Sequence, residues 1–110
     1  MLANMSVNIV LFKQMKKRSE ILKLLKKHKA ILQAKYKVHS FALFGSYARG
    51  DQHPESDVDI LVDCDPSIGL GFVSLADEIE EMIGLHVDLV STRAVKPAMM
   101  KCIKPELVYV

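Results

Sequence analysis

Two aspartates, Asp57 and Asp59, stand one residue apart at the end of the stretch GSYARGDQHPESDVD, ten residues after its opening Gly45-Ser46 pair. Carboxylates this close repel, and desolvating both is costly unless a cation lies between them. Val58, Ile60 and Val62 alternate with Asp57, Asp59 and Leu61, the pattern of a strand with one apolar face. On such a strand residues i and i+2 share a face with α-carbons about 7 Å apart, so both carboxylates aim at one place while the valines and isoleucine anchor the strand. Hard oxygen donors without a nearby His or Cys cluster suit magnesium or manganese better than zinc. Asp88, in HVDLV, lies on the strand face shared by His86 and Val90, opposite Val87 and Leu89. If that segment pairs with the first, Asp88 completes a trio. Three acids around two divalent ions is a layout for in-line phosphoryl or nucleotidyl displacement.

The glycine turn supplies the other half. Glycine allows close backbone approach, amides at a helix start bind anions, and Ser46 adds a hydroxyl donor. Gly45 and Ser46 are the candidates for holding a triphosphate. Arg49, one helical turn after Ser46, can reach a phosphate or pair with a site carboxylate. Each feature alone has a plain alternative: a polar strand end, an ordinary turn, an exposed strand aspartate. Their joint occurrence, in order and around strand patterns, favours a site.

The elements that must position these residues follow from periodicity. Residues 14–35 predict a long helix with Ile21, Leu22, Leu24, Leu25, His28, Ile31 and Leu32 on its apolar face. Ile9–Phe12 before it is open to strand, helix extension or disorder. VHSFALF (38–44) predicts a strand ended by Gly45, Ser46–Arg49 a helical turn, and DQHPES a loop. After the Asp57 strand, DPSIGLG predicts a second loop. Phe72, Leu75, Ile79, Met82 and Ile83 mark a second helix ended by Gly84, and LHVDLVS a third strand. Pro97 opens a last helix with Ala98, Met99, Met100 and Ile103 as its apolar positions, Pro105 stops it, and ELVYV is a final short strand. The pattern predicts an α+β fold, a small mixed sheet flanked by helices.

A chain of 110 residues predicts a single domain over 1–110, with residues 1–13 as a loosely ordered extension. No apolar run approaches the roughly 18 residues of a membrane span, and the initial apolar patch is followed rather than preceded by lysines, so a cytoplasmic protein without membrane association is expected. Cys64 and Cys102 have no metal or redox spacing and are expected as free, buried thiols. Net charge is only +2, yet residues 1–37 hold ten Lys or Arg against Glu20 alone, while residues 38–110 hold five Lys or Arg against twelve acids. That split suits an acidic partner or nucleic acid at the front and cations at the back; a solvated lysine face on an amphipathic helix explains the front equally well.

Gly45-Ser46, ten residues, then Asp57-x-Asp59 resembles the GSX10DXD pattern of the DNA polymerase β-like nucleotidyltransferase superfamily. FGSYARGDQHPESDVDILVD in so short a chain resembles its minimal nucleotidyltransferase members, from about residue 20 to the C-terminus. The resemblance implies a nucleotidyltransferase fold and an active enzyme. It implies two Mg²⁺ ions bound by Asp57 and Asp59 with Asp88 as the third acid near the attacking oxygen, and triphosphate contacts from Gly45 and Ser46. Minimal members are commonly antitoxins encoded beside a HEPN-domain ribonuclease toxin. The resemblance therefore implies binding to such a partner in a hetero-oligomer and transfer of AMP from ATP to a tyrosine hydroxyl on it. The size of the chain disfavours direct nucleic-acid binding, since polymerases and RNA-tailing relatives need further domains to grip a strand. Two other functions compete: an antitoxin that neutralises by binding alone, using apolar positions near the C-terminus (Met99, Met100, Ile103, Leu107, Val108, Tyr109), and a nucleotidyltransferase for a small molecule such as an antibiotic.

Overall fold

A computed structural model describes residues 16–110; the readings for Ile9–Phe12 and for the extension over 1–13 lie outside them. Helix α1 (Arg18–Tyr36) ends where Lys37 adopts a left-handed conformation, φ 55°, and turns into strand β1 (Val38–Phe44). The one-turn helix α2 (Gly45–Arg49) follows, stopped by Gly50 at φ 85°. After a loop come β2 (Val58–Cys64), α3 (Gly71–Ile83) and β3 (Val87–Ser91), then α4 (Pro97–Ile103) and β4 (Val108–Tyr109), with short 3₁₀ turns at 66–68, 92–94 and 104–106.

The four strands form a mixed sheet in the order β3-β2-β1-β4. β1 runs antiparallel to β2 and β4, whereas β2 and β3 are parallel and joined by α3, the crossover that a parallel pair requires. One sheet face packs Phe41, Leu43, Val58, Ile60 and Val62 beneath α1 and α3, which contribute Ile21, Leu25, Leu32, Leu75, Ile79 and Ile83. These six helix residues fall at the predicted helical spacing. Ile31, placed on the same stripe, is 62% exposed. His28 is half-buried, as expected, and its Nδ1 lies 2.9 Å from the Leu24 carbonyl.

The second face is also covered, which the expectation of one apolar face on β2 missed. Ala42, Leu61 and Ile103 form a smaller cluster supported by Phe44, Val90, Met100 and Leu107. Helix α4 therefore caps the middle of this face and leaves the end bearing Asp59 open. Met99, assigned to the apolar side of α4, is 58% exposed. Both cysteines are free; Cys64 is buried, but Cys102 sits on the exposed side of α4. Among the described residues no helix is long and apolar enough to cross a membrane.

Leu25 is fully buried at the seam of α1 with the sheet. Leu25→Ala is expected to cost about 2–5 kcal/mol from lost transfer energy and the cavity left behind. The urea midpoint should fall with an unchanged slope, and a midpoint equal to wild type would show that α1 does not hold the core.

Candidate active site

The glycine turn, Asp57 just ahead of β2, Asp59 within it and Asp88 of β3 lie at one end of the sheet. Phe44, the last residue of β1, pairs with Asp59, and Asp59 pairs on its other side with Asp88 of the parallel strand. This register sets two carboxylates side by side on the face that Leu61 shares further along β2. Asp57 lies one residue ahead of β2, exposed, where the Val58 N–H bonded to the His86 carbonyl fixes the start of the strand. Gly45, Ser46, Arg49, Asp57 and Asp59 line a common open cleft of about 590 Å³. Asp88 is not part of that lining but borders it through Asp59. A more apolar hollow of about 360 Å³, lined by residues of α1 and α3 such as Leu32 and Met82, lies away from the acids.

Gly45 is required twice over. Its φ is +74°, and a Cβ built on it would lie 2.1 Å from Oδ2 of Asp59. The backbone thus approaches the carboxylate more closely than any side-chain-bearing residue permits. The Gly45 N–H, expected to face a phosphate, donates instead to Oε1 of Glu106 at 3.0 Å. Ser46 is half-buried on the cleft wall. Arg49 is exposed and donates from Nε to Asp51 at 3.1 Å and from Nη1 to Glu106 at 3.0 Å.

Burial, then the charges of Asp88 and Asp57, push the Asp59 carboxyl up to about 6; Arg49 opposes this and Glu106 adds to it. Burial is the larger cause, and a single arginine shared between two other acids does not offset the charge around Asp59. As the side chains stand, no three His, Cys, Asp or Glu among the described residues converge tightly enough to hold an ion. Asp57 is turned to His86, whose Nδ1 lies 3.0 Å from Oδ1 and whose Nε2 lies 3.6 Å from Glu80. The donor set still fits a hard divalent cation: all-oxygen ligands, excess negative charge and a half-buried central member.

Sequence reasoning missed Glu106 and the pairing role of His86. His86 had a signal, since it precedes Asp88 by two positions on the same strand face. Glu106 had none, because nothing in its local pattern ties the 3₁₀ turn before β4 to a glycine 61 residues earlier. Tyr47, inside the glycine turn, is fully buried, its hydroxyl without a hydrogen-bond partner among the described residues and its acidity weakened by burial and by Asp57.

Residues 25–107 match the nucleotidyltransferase domain family. A Methanocaldococcus jannaschii relative, named as a candidate protein adenylyltransferase, is 48% identical over 101 residues, covering 87% of this chain and all of its own. The Thermococcus cleftensis protein adenylyltransferase MntA is 42% identical over 93 residues, covering 83% of this chain and 93% of its own. Among solved structures, a candidate minimal nucleotidyltransferase superposes with a TM-score of 0.72 at 27% identity, over 86% of this chain and 96% of that one. A toxin–antitoxin complex with AMP-PNP gives 0.58 at 26% identity, over 86% and 72%.

Two outcomes follow from the crowding. An acid whose folded pKa is raised binds its proton more tightly when folded, so Asp59 favours folding below pH about 4 and the advantage is lost as pH rises to about 6. In chelator at pH 7, Asp59→Asn is therefore expected to melt above wild type, with the gap closing toward pH 4; equal melting temperatures at pH 7 would count against the crowding. Gly45→Ala is expected to disrupt the turn through both its clash and its positive φ, lowering the melting temperature by several degrees. Circular dichroism melts measure both.

Proposed function

The chain belongs to the nucleotidyltransferase domain family, and on that premise we propose that it transfers AMP from ATP to a tyrosine hydroxyl of a partner HEPN ribonuclease toxin, acting as its antitoxin. One observation carries the reading: the register that sets Asp59 beside Asp88, against a glycine turn with no room for a side chain. The names of the archaeal relatives and the AMP-PNP complex support ATP as nucleotide and a protein as acceptor.

In this reading Asp57, Asp59 and Asp88 would hold two Mg²⁺ ions. When bound, these would neutralise triphosphate charge and polarise the reacting groups. The remaining work falls to the chain. Ser46, through its hydroxyl and its first-turn amide, holds the β- and γ-phosphates, and Gly45 shapes the turn that brings them to Asp59. Arg49 adds charge-assisted donors to the same phosphates. The tyrosine oxygen attacks the α-phosphorus in line. As that O–P bond forms, the bond from the α-phosphorus to its bridging oxygen breaks, and pyrophosphate leaves. Asp88, exposed at the edge of the trio, takes the tyrosine proton. A bulky charged group then covers the toxin's RNA-cutting site.

The test is to incubate the chain with the partner toxin, Mg²⁺ and ATP and to weigh the toxin by mass spectrometry. Wild type is expected to add the mass of AMP, and Asp57→Ala to slow the addition by more than about 100-fold, with loss of neutralisation. Should Asp57→Ala neutralise the toxin as well as wild type, binding alone is the mechanism; an unmodified toxin, with adenylylation of an antibiotic offered in a parallel reaction, would move the acceptor to a small molecule.

A further inference from the structure

Glu106 reaches the site from the far end of the chain. It sits in the 3₁₀ turn between α4 and β4, and its side chain is 20% exposed. Its two oxygens are used separately: Oε1 accepts the Gly45 N–H and Oε2 accepts Nη1 of Arg49, both at 3.0 Å. On the opposite edge of the same guanidinium, Nε donates to Oδ2 of Asp51 at 3.1 Å. A guanidinium carries five N–H groups in a rigid planar fork. Among the described residues two are committed to anchors on either side, which holds the plane, and three are left for an anion in the cleft that Arg49 lines.

We propose that Glu106 is a positioning residue for the nucleotide, holding the Arg49 guanidinium in the arrangement that a triphosphate meets. The proposal rests on ATP being the substrate. An exposed arginine left unanchored must give up its rotamers when phosphate binds, and Glu106 removes that cost beforehand. The α4–β4 segment, remote from the acids in sequence, thereby becomes part of the nucleotide site. A carboxylate so near a phosphate position could act in the opposite sense, as a competitor for the same donors, and the two roles differ in the sign of their effect on affinity.

The test is calorimetric titration of the full chain with AMP-PNP and Mg²⁺, comparing Glu106→Gln, Glu106→Ala, Arg49→Ala and the double variant, each first checked by its melting curve. Glu106→Ala is expected to weaken binding about 10-fold. Glu106→Gln, which keeps one acceptor oxygen and serves as the informative variant if the alanine form does not fold, should lose less. In the Arg49→Ala background the Glu106→Ala loss should shrink to about 2-fold or less, because the residue acts mainly through Arg49. In transfer assays the KM for ATP should rise while kcat changes less. Tighter binding by either Glu106 variant would make the carboxylate a competitor and overturn the proposal. Equal losses with and without Arg49 would overturn it as well. Absence of AMP-PNP binding to wild type would remove the ATP reading, and the proposal with it.

Discussion

The architecture turns on one repulsion. Asp59 is set beside Asp88 by the register of two parallel strands, close to Asp57 and partly out of water. Such a placement needs a counterweight, and here it is apolar. Val58, Ile60 and Val62 project to the other face, where α1 and α3 bury them. The core thus holds the acids at a spacing that their charges alone would widen, and burial together with those charges leaves the Asp59 carboxyl reluctant to ionise. Such a site is suited to a ligand that brings positive charge with it.

Much of this was legible because it was local. The strand 38–44 and the helix ended by Gly84 carry their boundaries in their own residues: an apolar, aromatic run up to a glycine, and a left-handed stop at φ 79°. The spacing from Gly45-Ser46 to Asp57 and Asp59 lies within a single stretch, so a candidate site stood out before any tertiary contact was known. Asp88 needed one further step, the pairing of β3 with β2, which the alternation of Val87 and Leu89 permits but does not force.

What escaped depended on contacts across the chain. Ile31 and Met99 share the spacing of buried neighbours and are nonetheless exposed, because periodicity marks a stripe without saying how wide its cover is. Leu61 stood among aspartates and looked like part of a polar face until α4 came to lie over it. Glu106 is the sharpest case. Glutamate before a short strand is unremarkable, and its importance arises only when the chain folds back on its own glycine turn.

The order of strands carries one more implication. Among the described residues β3 lies at an edge, with β2 as its neighbour, whereas β1 and β2 are each flanked on both sides. Edge strands fray first, since fewer bonds must open to release them. Amide hydrogens of Val87–Ser91 should therefore exchange with solvent before those of Phe41–Phe44. On warming, Asp88 would drift from Asp59 while the β1–β2 pair stayed closed, so that the grouping of acids loosens at temperatures where most of the molecule is still intact.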